Sequence, residues 1–444
     1  MSESKPASVF RETEAKQAGD VRARWAWTER SVWTNRMLAT LEQGVKGGVW
    51  FSLIDKVHRL STLQSAFAKV SANGGAAGCD HETIAMYASR LDANLTALSD
   101  DLCGGTYRPR PVRRVYIPKP GTRDRRPLGI PTVRDRIVQT ALRNVIEPIF
   151  ERDFAEHSYG FRPGRGCKDA LRRVNHLLKA DYTHVVDVDL QGYFDSIPHD
   201  QLMARVRAKV ADGRVLTLIE SFLTQGVMDG MDKWTPMSGS PQGAVISPLL
   251  SNVYLDPLDH LMVGRGIEMV RYADDIVLLC HSAEDAAAAM AEMQRWTATA
   301  GLTLHPEKTR LVDATQESFE FLGYRFGRGH RGPRDTSIKR FKDAIRAKTP
   351  RKAGRSLECI IADINRIMRG WFEYFKHASY TTVFRELDGW IRRRLRCLLL
   401  RRQKRRRFNG LGTAHHRWKN AFFAAAGLYS METAHVALRL SALR

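Results

Sequence analysis

Val270-Arg271-Tyr272-Ala273-Asp274-Asp275-Ile276-Val277-Leu278-Leu279 is a strand-like apolar run interrupted by two adjacent carboxylates. Apolar and aromatic residues on both sides predict two short strands joined tightly at the acids, which puts Asp274 and Asp275 at a hairpin tip. Carboxylates held that close repel one another unless a cation neutralises them. Magnesium suits such a place, being a hard ion that takes one or two carboxylates and leaves its other positions to water and substrate phosphates. Standing alone, the pair is more simply read as a solvated turn.

A second acidic strand lies upstream, Val185-Val186-Asp187-Val188-Asp189-Leu190, followed by Gln191-Gly192-Tyr193-Phe194-Asp195. Residues two apart share a face, so Asp187 and Asp189 point the same way, and one of them meets Asp274 and Asp275 if the strands lie side by side. Three converging carboxylates suit a two-metal site, one ion activating an attacking hydroxyl and the other stabilising a leaving pyrophosphate. Pro198 falls in the first turn of the next helix with Asp195 or Ser196 as N-cap, so Asp195 is assigned to capping rather than to metal.

The chain has 444 residues, 43% of them hydrophobic, enough for two or three domains with sizeable cores. The first twenty residues lack an apolar h-region, and no stretch approaches the ~18–20 apolar residues of a membrane span. An intracellular, cytoplasmic protein without a membrane partner is expected. Six cysteines are scattered without CxxC spacing, which argues against both a structural zinc site and a disulfide framework. The net charge of +22 is unevenly placed: residues 1–330 hold 42 basic against 40 acidic residues, and 331–444 hold 28 against 8. So basic a region is the footprint of a polyanion, nucleic acid before acidic lipid.

Trp25, Trp27, Trp33 and Trp50 lie among charges near the N-terminus and read either as stacking platforms for RNA bases or as helical core. A glycine-dense loop at 72–80 precedes a helix expected from about Thr83 to Leu98. Tyr107 to Pro131 predicts two strands around a Pro-Gly turn, studded with cations fit to clamp a triphosphate or a template backbone. Helices are expected over Val133–Phe150, with Ile137, Ala141, Val145 and Ile149 at core spacing, over Lys168–Leu178 and over Ser282–Ala300. Ser158 to Gly166 is a basic, turn-rich loop, and Ser240-Pro241-Gln242-Gly243 a loop leading into an apolar helix. Gly301–Arg310 and Phe319–Phe326 look like two further strands.

Taken in order, Ile-Pro-Lys-Pro-Gly at 117–121, Arg-Pro-Leu-Gly-Ile-Pro at 126–131, Ser-Tyr-Gly-Phe-Arg-Pro at 158–163, Asp189 with Phe194-Asp195, Ser-Pro-Gln-Gly at 240–243, Tyr-Ala-Asp-Asp at 272–275, Leu-Thr-Leu-His-Pro-Glu-Lys-Thr at 302–309 and Phe-Leu-Gly-Tyr at 321–324 resemble bacterial group II intron reverse transcriptase/maturases. The likeness runs from about residue 60 to the C-terminus. It implies an α+β chain, a right-hand polymerase with fingers and palm followed by an α-helical thumb/maturase domain. The expected boundaries are an N-terminal extension to 58, fingers 59–180, palm 181–330, a basic helical thumb 331–410 and a C-terminal nucleic-acid-binding segment 411–444.

By motif position, Asp189, Asp274 and Asp275 would surround two Mg²⁺ ions, with Asp187 a neighbour that takes no metal. Phe194 matches the ring that excludes a ribose 2′-hydroxyl, Lys119 and Arg126 the contacts to the incoming triphosphate, Gln242 a wall of the nucleotide pocket and Lys308 a group that protonates or neutralises pyrophosphate. Ile364-Asn365 through Phe375 resembles the family's thumb motif, though its aromatics read equally as helix core. Arg392, Arg393, Arg394 and Arg396, continued by Arg401 to Arg407, would line up phosphate contacts. Residues 418–423 and 427–430 resemble the family's short C-terminal segment. No Cys pairs follow it, so no endonuclease is expected. The implied partners are intron RNA, an RNA template with a DNA primer, a DNA target and dNTPs, and the implied activity is RNA-directed DNA synthesis with a maturase role in splicing and intron mobility. A retron-like or domesticated reverse transcriptase and a non-enzymatic maturase are the competing readings. The thumb motif and C-terminal segment oppose the first, and the three intact carboxylates oppose the second.

Overall fold

The computed structural model describes residues 21–45, 47–118, 125–230, 232–350, 354–402 and 411–441. The first unit takes residues up to 182 and 186–311, and in chain order residues 112–313 build β1 (Val112–Pro118), β2 (Arg125–Ile130), α1 (Val133–Glu151), α2 (Cys167–Lys179), β3 (His184–Asp189), β4 (Val227–Asp229), β5 (Asp232–Trp234), α3 (Ser247–Gly264), β6 (Glu268–Tyr272), β7 (Asp275–Cys280), α4 (Ala283–Thr299) and β8 (Arg310–Asp313), the first two residues of β3 and the last two of β8 being counted in the second unit. The second unit takes 183–185 and 312–444.

Local signals account for most of these elements. Thr132 and Ser282 cap α1 and α4 by accepting the N–H of Asp135 and Asp285. The four apolar positions foreseen at spacing four, Ile137, Ala141, Val145 and Ile149, are all buried. The helix expected from Thr83 to Leu98 is instead two, Ile84–Ala88 and Leu91–Gly104. Side chains compete for the backbone at the break, the Ser89 hydroxyl donating to Met86 O at 2.7 Å and the Asn94 amide to Tyr87 O at 2.9 Å. Asp195 and Ser196 do not cap the helix after β3. They belong to a single turn, Tyr193–Ser196, and Pro198 in extended conformation caps His199–Arg207. Ile197, ahead of a proline, is driven out of the helical region and separates the two.

Two sheets organise the first unit. The hairpin β1–β2 extends through β4 to β5 in the order β2-β1-β4-β5, β1 and β4 running parallel. The other sheet has the order β6-β7-β3-β8, so the strand ending in Asp189 lies beside the one starting at Asp275. Helices α2, α3 and α4 pack against β6 and β7. Gly301–Arg310 is not a strand: apart from a bridge between Leu190 and Leu304, pairing begins only at Arg310. Near the N-terminus Trp33 is fully buried and donates its indole N–H to Asn144 O at 3.0 Å, and Trp25 is buried as well, so both serve the core.

The second unit opens with the antiparallel sheet β11-β10-β9, of β9 (Ser318–Phe321), β10 (Tyr324–Gly327) and β11 (His330–Pro333). The stretch read as one strand, Phe319–Phe326, is a hairpin, because Leu322 and Gly323 both adopt positive φ (47° and 82°), the requirement of a two-residue primed turn. Helices α5 (Asp335–Lys348), α6 (Leu357–Phe375), α7 (Thr382–Arg402) and α8 (Met431–Ser441) follow. Phe341, Trp371, Phe375 and Tyr324 pack successively at tilted angles with centroids 4.6–5.0 Å apart, so the motif's aromatics pack helix to helix and onto β10. Asn365 donates to Gly427 O at 2.7 Å and accepts from Tyr429 N at 2.9 Å, tying the thumb-like motif to the C-terminal segment. Among the described residues no helix is long and apolar enough to cross a membrane.

One buried carboxylate joins the segment at Leu53-Ile54 to the rest of its unit. Asp212 accepts the backbone N–H groups of Leu53 (2.6 Å), Ile54 (2.9 Å), Arg214 (3.0 Å) and Val215 (3.1 Å). Burial raises its pKa and the four N–H donors pull it down, the net shift being downward. A folded pKa below the unfolded one stabilises the protein above about pH 4, and that contribution is lost as pH falls through the folded value. Asp212→Ala is therefore expected to cost about 1.5–3 kcal/mol at neutral pH, with the gap to wild type closing in acid. Denaturant unfolding across pH measures this, and a gap that stays constant below about pH 3 would contradict it.

Candidate active site

Tyr272 and Asp275 are the last paired residues of the β6–β7 hairpin, so the turn itself is Ala273-Asp274 and Asp275 opens β7. Ala273 has φ +60°, a left-handed conformation that costs a residue with a Cβ about 1–3 kcal/mol. Asp274 is half-buried and Asp275 exposed. Burial is the largest influence on Asp274 and raises its pKa; its own backbone N–H, Arg126 and Arg271 act against that, and Asp189 adds to it. Asp189 therefore acts on Asp274, in keeping with β3 lying beside β7.

Cations attend both carboxylates. Lys308 Nζ lies 2.7 Å from Asp189 Oδ2, and Arg126, exposed on β2, acts on Asp274. Asp187 is engaged differently, its Oδ2 lying 3.5 Å from Arg310 Nε. Among the described residues no three His, Cys, Asp or Glu side chains form a ready metal cage. Magnesium asks for less, since one or two carboxylates suffice when phosphates and water complete its shell. A locus where acids already recruit an ammonium fits such an ion, and Asp189, Asp274 and Asp275 are the carboxylates there that could hold it.

One loop closes on the hairpin, and a second joins the Phe194 turn to β2. From the first, Tyr159 N donates to Arg271 O at 2.8 Å and His157 O accepts Arg271 N at 3.0 Å. A Cβ on Gly160 would lie 2.8 Å from Tyr272 C and closer still to Ala273 N, so only glycine lets this loop pass under the turn. From the second, Ser240 N donates to Phe194 O at 2.7 Å, and Gln242 O accepts from Gly129 N at 2.7 Å. The loop thereby joins the Phe194 turn to β2 and lines a cavity with Arg114, Gly129, Asp195 and Trp234. Gln242 reaches that cavity, while Phe194 is half-buried with its ring edge-on to Tyr193 at 5.3 Å. Lys119 lies outside the described residues.

Sequence reading passed over the residues beneath the turn. Arg271, fully buried on β6, pairs with Asp259 of α3 and also bonds Asn252 of the same helix. The signal was a cation inside an apolar strand, together with an Asn and an Asp seven residues apart in an apolar helix. Within the second unit the four arginines assigned to RNA diverge. Arg396 is 2% exposed and donates to Trp418 O at 2.9 Å and Asn420 Oδ1 at 2.8 Å, which corrects its assignment to phosphate. Arg394 is held by Thr349, donating to its hydroxyl and its carbonyl at 2.9 Å each. Arg393 is exposed and Arg392 half-buried.

A carboxylate hairpin beside a third acid on the adjacent strand, backed by helices and faced by a basic hairpin, defines a polymerase of the right-hand type. Residues 117–326 match the family Reverse transcriptase (RNA-dependent DNA polymerase), and 338–419 match the Group II intron, maturase-specific domain. Protein YkfC of Escherichia coli K12 is 34% identical over 342 residues, 68% of this chain and 86% of that protein. The Group II intron-encoded protein LtrA of Lactococcus lactis subsp. cremoris is 38% identical over 180 residues, 40% of this chain and 30% of LtrA. The Putative COX1/OXI3 intron 1 protein of Saccharomyces cerevisiae is 27% identical over 332 residues, 62% of this chain and 39% of that protein. The chain belongs to the group II intron reverse transcriptase/maturases and is an RNA-directed DNA polymerase with a maturase-specific domain. Polymerases of this family use divalent metal ions.

The packing of Gly160 under the turn is open to direct test. Gly160→Ala forces the loop or the hairpin to move and is expected to destabilise the protein by about 1–3 kcal/mol. Thermal or denaturant unfolding reads this, and an unchanged midpoint would show that the loop yields without cost.

Proposed function

We propose that the protein extends a DNA primer along an RNA template with dNTPs at Asp189, Asp274 and Asp275, using two Mg²⁺ ions, and that its basic C-terminal region binds the parent intron RNA, supporting splicing and insertion into a DNA target. The observation that carries the reading is the carboxylate pair at the turn beside Asp189, with Lys308 already drawn to it. Bound there, the ions supply activation of the primer hydroxyl and stabilisation of the leaving pyrophosphate. Arg126 and Lys119 bind the triphosphate, Gln242 walls the nucleotide pocket and the Phe194 ring crowds a ribose 2′-hydroxyl. Lys308 leaves Asp189 to neutralise the pyrophosphate.

Asp274→Asn is expected to lower primer extension on an RNA template by at least about a hundredfold while RNA affinity stays within about twofold, since that affinity rests on phosphate contacts elsewhere. Filter binding and single-nucleotide extension separate the two, and full extension by the variant would overturn the assignment.

RNA binding is read from its salt dependence. Every cation withdrawn from a phosphate makes the slope of log affinity against log salt shallower by roughly 0.7–0.9, so neutralising Arg392 and Arg393 together flattens it by up to about 1.8. Arg396→Ala is expected to leave that slope alone and to cost about 1–3 kcal/mol of stability, because its carbonyl and amide partners lose their donor. Equal slopes for wild type and the Arg392/Arg393 double variant would remove this surface from the binding site.

A further inference from the structure

Ala273 is gripped at both ends of its backbone. Its N–H side lies against Gly160, which leaves no room for a Cβ, and its carbonyl accepts from Arg271 Nη1 at 3.1 Å. That carbonyl belongs to the peptide plane leading into Asp274, so its direction sets where the Asp274 side chain starts. The same guanidinium also binds α3: Nε donates to Asp259 Oδ1 at 2.7 Å, Nη2 donates to Asp259 Oδ2, and Nη1 donates to Asn252 Oδ1 at 2.9 Å. Asn252 in turn donates from Nδ2 to Gly160 O at 2.9 Å. Arg271, Asn252 and Asp259 are each at most 1% exposed, so no water competes for these bonds.

We propose that Arg271 is a positioning residue for catalysis: it fixes the Ala273-Asp274 turn through the Ala273 carbonyl, and Asn252 couples that grip to the loop at Gly160. Three features distinguish this from an ordinary buried ion pair. A pair needed only for the core would be complete with the fork of Arg271 on Asp259, yet one nitrogen reaches back to the turn two residues on. The turn itself holds a residue with a Cβ at positive φ, a conformation that persists only where its surroundings enforce it. Finally, Asn252 and Asp259 stand seven residues apart on α3, two helical turns, so one rigid element anchors both partners of the guanidinium. Groups that orient metal-holding side chains from behind typically change metal affinity or activity 10–100-fold when removed.

The inference rests on Asp274 and Asp275 being the metal carboxylates, and the test keeps the two claims apart. Arg271→Lys retains the charge opposite Asp259 but cannot hold Asp259 and the Ala273 carbonyl together. Asn252→Ala leaves the ion pair whole and removes the link to Gly160, which provides a second variant if the first does not fold. Both are compared with wild type and Asp274→Asn in the full-length protein, by single-nucleotide extension on a preannealed template and primer, by Mn²⁺ titration followed by electron paramagnetic resonance without substrate, and by Tm. For Arg271→Lys the expected result is a kcat at least about tenfold lower and Mn²⁺ binding at least about tenfold weaker, with KM for dNTP within about twofold in a folded protein. Asn252→Ala shifts kcat and Mn²⁺ affinity in the same direction by a smaller factor. Wild-type kcat or wild-type Mn²⁺ affinity in a folded Arg271→Lys protein, or in folded Asn252→Ala where Arg271→Lys does not fold, overturns the proposal if Asp274→Asn is inactive. An active Asp274→Asn protein would instead overturn the site on which it stands.

Discussion

An arginine and an aspartate with no access to water hold the centre of the first unit together. Removing one partner of such a pair leaves the other charge buried and uncompensated, at a cost of about 3–5 kcal/mol. Arg271 and Asp259 therefore depend on one another, and both depend on α3 lying against β6. Burial pushes the Arg271 pKa down; the Asp259 carboxylate outweighs it and holds the pKa above the ordinary value. A permanently charged fork inside the protein is a rigid bracket, and the strained turn that carries Asp274 is built on it.

Around that bracket the site is assembled largely from main chain. The loop at Gly160 and the loop at Gly243 each approach another backbone so closely that a Cβ would collide, with Ala273 in one case and with Gly129 O at 2.5 Å in the other. Motifs such as Ser-Tyr-Gly-Phe-Arg-Pro and Ser-Pro-Gln-Gly look like sets of chemical groups when read as text. Much of their content is the freedom to pack. Arg162, for instance, is buried and spends its guanidinium on Glu151 and on the carbonyls of its own loop.

The second unit shows how far a charge count reaches. The excess of basic residues in 331–444 is a fact of composition and favours a polyanion partner. Composition does not say which cations face that partner. Arg394 and Arg396 are turned inward onto carbonyl, hydroxyl and amide groups, Arg385 pairs with Glu432 at 2.7 Å, and Arg355 pairs with Asp363 at 2.6 Å. Asp388, also inside, receives the N–H groups at the start of α8 and so anchors the C-terminal helix. Among the described residues, the surface offered to RNA is smaller than the number of arginines suggests.

What the sequence determined by itself is what nearest neighbours and periodicity control. The hairpin around Asp274 and Asp275, the acidic strand ending at Asp189, the helices α1 and α4, and the separation of a near-neutral region from a basic one were all legible, as was the family through the order of its motifs. The turn at Leu322-Gly323 and the helix break at Ser89-Arg90 were missed, because each rests on a backbone angle or side-chain bond that residue type only permits. Tertiary structure alone decided that Arg271 meets Asp259 and Asn252, that Arg396 points inward, and that Lys308 rests on Asp189. Each is a meeting of residues far apart in the chain, and whether a charge ends in water, on phosphate or on a buried carboxylate is settled only when the chain has closed around it.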